Sequence, residues 1–244
     1  ADPRASDIDF VLIRESTEGL FASHGKGVII DDREARDTLV ITRDTSERLF
    51  DFAFDLARRR RERGYPGRVT LIDKANVFKS FAFFREIFDE RAAGFPDIES
   101  DYLYVDAAAL GMVRNPWEFD VMVTENMFRD ILSDLAAGLV GGMGFAPSAD
   151  TGESNAVFQP AHGTAPDIAG TGMANPIAAI LSASMMLEWL GAKHELDECR
   201  KAAKIIDDAV AATISERGIR TADAGGTHTT ADAVRAVLAG IAEA

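Results

Sequence analysis

Short apolar runs alternate with stretches of helical periodicity through the first half of the chain. Runs rich in β-branched or aromatic residues lie at 8–13, 69–72, 102–105 and 119–123. Between them, apolar residues recur every three or four positions, for example at Leu49, Phe52, Ala53 and Leu56. Runs of the first kind are typical of strands, and spacing of the second kind is typical of helices that bury one face. The alternation predicts an α/β fold.

Other features of the first half concern element boundaries. Asp44 and Glu47 have the spacing of a capping box and mark a helix start. Segment 22–40 carries glycines beside an apolar triplet, and we expect a protruding hairpin there rather than core. The arginine run 58–61 closes the helix that follows Asp44, where positive charge complements the helix C-terminus. We interpret this run as a solvated helix end and not as a nucleic-acid site.

The second half is richer in helical patterns. Residues 138–147 are rich in glycine, which predicts a crossover between two domains. Asn175 followed by Pro176 is a strong helix start, with the asparagine as N-cap. Two further helices are expected, over about 196–217 and after Thr229.

The composition is that of an ordinary globular protein with an acidic excess. Of 244 residues, 47% are hydrophobic and 27% are charged, and the formal net charge is -14. This charge argues against nucleic acid or an anionic membrane as partner. The sequence has no apolar run of membrane-spanning length. The single cysteine, Cys199, excludes an intrachain disulfide and fits a cytoplasmic location.

Two aspartates one helical turn apart are the first candidates for chemistry. Asp130 and Asp134 follow the strand-like run 119–123, and their i, i+4 spacing puts both carboxylates on one helix face. That face lies at the carboxyl end of a strand, where open α/β sheets bind ligands. Hard oxygen ligands at this density suit Mg²⁺ or Mn²⁺. The alternative is the acidic start of a solvated helix, which the helix dipole favours.

Two more strand-like runs end in residues of catalytic type. Lys74 follows the run 69–72, and a partly desolvated lysine beside a metal ion is suited to proton transfer. The alternative is a surface lysine paired with Asp73. Asp106 follows the run 102–105 and is a candidate third metal ligand, a helix N-cap, or both.

Arg14 ends the first strand-like run, and a guanidinium there suits bidentate binding of a substrate carboxylate. A structural ion pair between Arg14 and Glu15 or Glu18 is the competing interpretation.

A second cluster combines an irregular turn with polar edges that suit the ribose and adenine of a nucleotide. Its members are His162, Gly163, Thr164, Ala165, Asp167, Ile168 and Asn175. An aspartate that faces the ribose would favour NAD, because it binds free hydroxyls and repels the extra phosphate of NADP. No Gly-x-Gly-x-x-Gly follows a strand, which argues against a Rossmann site.

Taken together, these motifs resemble the isocitrate/isopropylmalate dehydrogenase family of metal-dependent β-decarboxylating dehydrogenases. The resemblance covers nearly the whole chain and rests on motifs at residues 14–19 (RESTEG), 73–76 (DKAN), 105–109 (VDAAA), 130–134 (DILSD), 147–149 (PSA) and 162–170 (HGTAPDIAG). It implies a two-domain α/β fold with a mixed sheet. Residues 1–140 would be the dimerisation and catalytic domain, with an arm hairpin near 22–40. Residues 141–244 would be the C-terminal portion of the cofactor-binding domain.

The resemblance also implies a role for each candidate residue. Arg14 would bind a substrate carboxylate, Lys74 would be the catalytic lysine, and Asp106, Asp130 and Asp134 would bind Mg²⁺ or Mn²⁺. The cluster 162–168 with Asn175 would form the adenosine pocket in its NAD-preferring form. The family implies an obligate homodimer in which Lys74 and Asp106 enter the partner's site. The expected reaction is NAD-dependent oxidative decarboxylation of an isopropylmalate-, malate- or tartrate-type hydroxy acid.

The chain departs from the family pattern in several places. Phe21 replaces a tyrosine that is associated with proton delivery, and a phenyl ring cannot donate a proton. Tyr104 shares a strand face with Asp106, so its taking over that role is a hypothesis. Arg129 replaces a glycine, and Gln159 replaces a common acid. The chain begins about where the second domain of the family begins.

Two other functions stay open, the first of them because of these departures. One is a non-catalytic, regulatory homologue of the same family that acts as a subunit. The other, based on the aspartates alone, is a different Mg²⁺ enzyme that transfers or hydrolyses phosphoryl groups, which leaves the 162–175 cluster unexplained.

Overall fold

The computed structural model describes residue 4 and residues 7–152 and 154–244. The chain divides into two compact units, Ala1–Ala136 and Ala137–Ala244. The elements that begin in the first unit are β1 (Val11–Arg14), β2 (Val28–Ile30), β3 (Glu34–Arg36), α1 (Arg43–Glu62), β4 (Arg68–Asp73), α2 (Lys79–Ala92), β5 (Glu99–Tyr104), α3 (Val105–Arg114), β6 (Val121–Thr124) and α4 (Asn126–Leu139).

The first unit is built on a four-stranded sheet in the order β1-β6-β4-β5. Every pairing in it is parallel, and Val121 of β6 aligns with Val11 of β1 on one side and Val69 of β4 on the other. Parallel strands end at the same edge, so the residues that follow them are brought together. The predicted α/β class is confirmed. Among the described residues, antiparallel strand pairing is found in two hairpins and an isolated bridge.

Phenylalanines fill the core between the sheet and helices α1 and α2. Phe50 and Phe54 of α1 are fully buried and meet Phe84 and Phe88 of α2, with centroid separations of 4.6 Å for Phe50–Phe84 and 5.3 Å for Phe54–Phe88. The helical spacing of apolar residues in α1 puts these rings on one face. The interior strand β4 is buried at almost every position, as expected for a strand covered on both faces.

Segment 22–40 contains the expected hairpin, in which β2 and β3 pair antiparallel and are largely exposed. The predicted capping box at Asp44 and Glu47 is wrong. Helix α1 begins at Arg43 after Thr42, whose hydroxyl is bound to the carboxylate of Glu18. The chain reaches Thr42 in an extended conformation fixed by that contact, so the helix starts earlier than the acidic spacing indicated.

The second unit contains β7 (Pro147–Thr151), β8 (Ala156–Pro160), α5 (Ile177–His194), α6 (Asp197–Ser215) and α7 (Thr230–Ala242). Strands β7 and β8 form an antiparallel pair. The three helices bury a cluster that includes Ile177, Ala209, Val210 and Val237.

Side-chain caps start two helices of the second unit. Asn175 Oδ1 accepts a hydrogen bond of 3.0 Å from the backbone N–H of Ile177, the first residue of α5. Thr229 and Asp232 form a reciprocal capping box at α7, and the hydrogen bonds from Thr229 lower the pKa of Asp232 to about 2. The predicted helix α5 is confirmed, but its N-cap position is Pro176 rather than Asn175, which binds the first helical N–H from one residue earlier. In the part of the chain that the structure describes, no helix is both long and apolar enough to cross a bilayer.

Candidate active site

The carboxyl ends of the parallel strands bring predicted catalytic residues to one edge of the sheet in the first unit. Arg14 ends β1, Lys74 follows β4 and Asp106 lies just after β5. Helix α4 begins directly after β6 and carries Asp130 and Asp134. Because neighbouring strands lie about 4.8 Å apart, the strand order places Arg14 beside the start of α4 and Lys74 between α4 and Asp106.

Arg14 is held against the start of α4. Its Nε donates to Asn126 Oδ1 at 2.9 Å, and its Nη1 lies 3.3 Å from Asp130 Oδ1. The competing interpretation, an ion pair with Glu15 or Glu18, is wrong, because neighbouring backbone and hydroxyl donors engage both carboxylates. Sequence analysis missed Asn126, which is buried and orients the guanidinium.

Glu125 fixes the N-terminus of α4. Its carboxylate is buried and accepts hydrogen bonds from the backbone N–H groups of Met127 at 3.1 Å and Phe128 at 2.9 Å. Burial raises the pKa of Glu125, and the two N–H donors act in the opposite direction. Because this acid satisfies the first N–H groups of the helix, it fixes the start of the element that carries Asp130 and Asp134.

Asp130 and Asp134 lie exposed on α4, whereas Leu132 between them is buried. Two carboxylates one turn apart present hard oxygen donors, and this donor set fits Mg²⁺ or Mn²⁺. Among the described residues, no three His, Cys, Asp or Glu side chains are grouped closely enough to hold a metal ion. Asp106 follows β5, which is two strands from β6, a distance of about 10 Å across the sheet.

Lys74 and Asp106 form an ion pair at the ends of β4 and β5, on the side of the sheet away from Arg14. The ammonium of Lys74 donates to Asp106 Oδ1, and this hydrogen bond lowers the pKa of the exposed Asp106 carboxyl. The side chain of Lys74 is 24% exposed and that of Asp106 is 69% exposed. Both charged groups can therefore be reached by a ligand from outside the chain.

The alternatives considered for these two residues are wrong. Lys74 does not pair with Asp73, because the buried Asp73 carboxylate is bound by Arg85 through two hydrogen bonds of 2.7 Å each. Asp106 is not the N-cap of α3, because Tyr104 occupies that position and Asp106 lies in the first helical turn.

The predicted adenosine-binding residues lie in the second unit. His162, Gly163, Thr164, Ala165, Asp167 and Ile168 follow β8, and Asn175 lies just before α5. A 3-10 turn, Pro166–Ile168, follows Ala165, whose φ of 42° is in the left-handed region. The side chain of Asp167 is exposed. The arrangement leaves backbone and carboxylate groups accessible, which fits the binding of a polar ribose.

Asp223 is a neighbour of Asn175 that sequence analysis missed. Asn175 Nδ2 donates to Asp223 Oδ2 at 3.0 Å across a separation of 48 residues. Thr221 donates to the other oxygen of the same carboxylate at 2.5 Å. Gly144 lies against this contact, and a Cβ there would collide with Asp223. No local pattern signals such a pair, because its members meet only after the helices pack.

Phe21 and Tyr104, the two aromatic residues considered in relation to proton delivery, lie beside different residues of the site. The ring centroid of Phe21 lies 5.8 Å from Arg14 Cζ, and that of Tyr104 lies 5.8 Å from Lys74 Nζ. The predicted strand face shared by Tyr104 and Asp106 is wrong, because β5 ends at Tyr104 and Asp106 lies in α3. The transfer of proton delivery from position 21 to Tyr104 stays a hypothesis. Elsewhere, Gln159 donates weakly to Asp150 at 3.4 Å.

The chain is similar over most of its length to known dehydrogenases. A family described as isocitrate/isopropylmalate dehydrogenase matches residues 2–237. The 3-isopropylmalate/3-methylmalate dehydrogenase of Methanocaldococcus jannaschii is 46% identical over 221 residues, which make up 90% of this chain and 63% of that relative. The 3-isopropylmalate dehydrogenase of Archaeoglobus fulgidus is 47% identical over 220 residues, with the same two shares. This chain thus spans less than two thirds of these relatives.

Solved structures show the same similarity. The isocitrate dehydrogenase of Methylococcus capsulatus superposes with a TM-score of 0.84 at 42% identity, covering 96% of this chain and 67% of that one. A β-decarboxylating dehydrogenase of Thermococcus kodakarensis, in its apo form, gives a TM-score of 0.76 at 40% identity, covering 89% and 60%.

Proposed function

This chain belongs to the isocitrate/isopropylmalate dehydrogenase family, and we propose that it carries the machinery for oxidative decarboxylation of a 3-carboxy-2-hydroxy acid. The substrate is a small anionic acid of the isopropylmalate, malate or tartrate type, and the cofactors are NAD and Mg²⁺ or Mn²⁺. One observation carries the proposal. A lysine–aspartate pair, and an arginine paired with an aspartate of the neighbouring helix, lie along the carboxyl edge of one parallel sheet.

The proposed organisation follows the family. Residues 1–140 are the dimerisation and catalytic domain, and residues 141–244 are the C-terminal portion of the cofactor-binding domain. The single cysteine, Cys199, accords with a cytoplasmic location. The acidic net charge of -14 accords with the absence of nucleic-acid or membrane partners.

Arg14 binds a carboxylate of the substrate. Asn126 and Asp130 engage its Nε and Nη1, so the guanidinium plane is oriented before the substrate arrives, and Nη2 takes part in neither contact. A planar guanidinium suits a carboxylate better than an ammonium does, because it offers parallel donors. Orientation in advance lowers the entropic cost of binding.

Asp130 and Asp134, together with Asp106 from a second copy of the chain, would hold the divalent ion. When bound, such an ion supplies Lewis-acid stabilisation of negative charge on the substrate oxygen. The chain itself contributes the carboxylates and their fixed spacing on α4, and the buried cap Glu125 anchors that helix.

Lys74 moves the proton of the substrate 2-hydroxyl. Its Nζ accepts this proton while the alcohol is oxidised to a ketone. Asp106 holds the side chain in place before the substrate binds. The pKa of Asp106 is lowered, so this residue stays ionised through the neutral range.

The exposed segment 162–168 and Asn175 would hold the adenosine part of NAD, which supplies the hydride acceptor. The Asp167 carboxylate accepts hydrogen bonds from the ribose hydroxyls and repels a 2′-phosphate, so this chain prefers NAD to NADP.

Replacing Asp167 with serine is expected to reduce the preference for NAD. The ratio of kcat/KM for NAD to that for NADP should fall by about 10- to 100-fold, the equivalent of hydrogen bonds to one charged acceptor. The control is Asp208→Ser, which removes an exposed carboxylate on α6 that is paired with Lys204. An unchanged ratio in Asp167→Ser would exclude Asp167 as the discriminating residue.

A homodimer with shared sites is proposed from the exposed apolar face of α3. Leu110 and Val113 are 57% and 59% exposed on the helix that carries Asp106, and their i, i+3 spacing places them side by side. Exposed apolar groups at such a place favour association. Docking of a second copy on this face would carry Lys74 and Asp106 into the site of that copy.

Replacing Leu110 with glutamate should therefore weaken the dimer and lower activity in proportion to the lost dimer. Sedimentation velocity over a dilution series is the measurement, with turnover followed at the same concentrations. Leu238→Glu is the matched control, because Leu238 is 59% exposed on α7. Loss of dimer in both variants, or in neither, would contradict the assignment of the α3 face.

The proposed activity is tested by offering full-length protein a panel of 3-carboxy-2-hydroxy acids with NAD and Mn²⁺. NADH absorbance and released carbon dioxide should rise together with at least one acid. NAD and metal binding without turnover on any acid would instead favour the regulatory homologue, for which Phe21 beside Arg14 is the motivating observation.

A further inference from the structure

Asp73 and Arg85 lie directly beneath the predicted catalytic lysine. The Asp73 carboxylate, fully buried, accepts from Arg85 Nε and Nη2 at 2.7 Å each. It also accepts from the backbone N–H of Ala75 at 3.0 Å. Asp73 precedes Lys74 in the chain and Ala75 follows it, so this hydrogen bond closes a turn around Lys74. The backbone at Lys74 is fixed by an acid that Arg85 holds.

The same arginine also fixes the aromatic side chains beside the lysine. Arg85 Cζ lies 3.9 Å from the ring centroid of Tyr102 and 5.4 Å from that of Tyr104. The ring of Tyr104 is in turn 5.8 Å from Lys74 Nζ. Cation–π contacts of this kind restrain both the ring and the guanidinium. Arg85 therefore reaches Lys74 through the backbone turn and through the ring of Tyr104.

We infer that Arg85 is a positioning residue for Lys74, acting through Asp73 and Tyr104. It touches neither the ammonium nor its partner Asp106 in the described contacts, so its effect is indirect. The inference rests on the proposed function, because it assigns Arg85 a part in the proton transfer of that same site. A planar guanidinium is needed, since only a fork of donors can bind both oxygens of Asp73 while it stacks on a ring.

The test is Arg85→Lys compared with Arg91→Lys. Arg91 offers a matched control on the same helix, because its Nε and Nη2 bind the Asp51 carboxylate at 2.7 and 2.8 Å. Both substitutions keep the positive charge but remove the paired N–H donors of the guanidinium. A displacement of about 1 Å in a reacting group can cost about 100-fold in rate. We expect kcat to fall by about 10- to 100-fold in Arg85→Lys, with KM for the acid unchanged, and both parameters to stay at wild-type values in Arg91→Lys.

A merely structural role predicts a different pattern. Arg85→Lys would then lose thermal stability because its partner Asp73 is buried, Arg91→Lys would lose little because its pair with Asp51 is exposed, and kcat per folded molecule would be unchanged in each. Wild-type kcat in folded Arg85→Lys would overturn the inference. If Arg85→Lys fails to fold, Tyr102→Leu replaces it, because this exposed ring restrains Arg85 and its loss leaves no buried charge unpaired. Unchanged kcat in Tyr102→Leu would also overturn the inference. Absence of turnover in the wild-type protein would instead contradict the proposed function.

Discussion

Replacing Lys74 with alanine is expected to lower kcat by about 10²- to 10⁴-fold, the range for loss of a positioned general base. The structure supports a large effect because Lys74 is the cationic side chain that follows β4 at the carboxyl edge, and its ammonium is fixed by Asp106. Folding should be little affected. The partner left behind is an exposed carboxylate, and exposed ion pairs contribute little to stability.

The control for this substitution is Lys79→Ala. Lys79 is an exposed lysine at the start of α2, five positions further along the chain and outside the cluster. Steady-state kinetics, thermal melting and titration with NAD should be measured on both variants. Retention of more than about a tenth of wild-type kcat in Lys74→Ala would exclude a general-base role. A loss that is equal in both variants would point to a general disturbance of α2.

Replacing Asp130 or Asp134 with asparagine is expected to weaken Mn²⁺ binding by about 100-fold or more, since loss of groups that merely orient a ligand already costs about 10- to 100-fold. Turnover at low Mn²⁺ should fall in parallel and recover partly at high Mn²⁺. EDTA should remove the activity of the wild-type protein, and added Mn²⁺ should restore it.

Without metal, the thermal stability of the protein should rise in these variants rather than fall. Two carboxylates at i, i+4 repel each other by about 0.2–0.5 kcal/mol, so Asp134→Asn should melt slightly higher than the wild type without metal. It should also lose most of the increase in melting temperature that Mn²⁺ gives the wild type. Asp44→Asn, which neutralises an exposed aspartate on α1, should keep that increase. A full Mn²⁺-induced increase in Asp134→Asn would remove this residue from the ligand set.

Periodicity along the chain was sufficient to predict the α/β class and most elements. The apolar spacing predicted α1 correctly but placed its buried face only in part, because Ala53 is buried whereas Phe52 is 37% exposed and the fully buried rings are Phe50 and Phe54. Element starts were less predictable. Thr42 begins α1 through a contact with Glu18, and Tyr104 occupies the N-cap position predicted for Asp106. Both depend on the path by which the chain enters the helix.

The residues at the strand ends could be predicted, but their partners could not. Sequence order does not reveal that β6 lies between β1 and β4, and this insertion brings Arg14 to Asn126 and Asp130 rather than to Glu15 or Glu18. In the same way, the packing of α2 pairs Arg85 with Asp73, so Lys74 pairs with Asp106 instead. These exchanges depend on tertiary packing, which local patterns do not encode.

The central claim is that one active site combines Asp130 from one copy of the chain with Lys74 from another. It is tested most directly by mixing the variants Lys74→Ala and Asp130→Asn at a low Mn²⁺ concentration, where neither turns over alone, under conditions that allow subunits to exchange. In a mixed dimer, one site would carry both substitutions and the other would carry none. The mixture should therefore recover about a quarter of wild-type activity, since half of the randomly paired dimers contain one intact site of two. If exchange occurs and activity stays at the level of the separate variants, the shared site is contradicted.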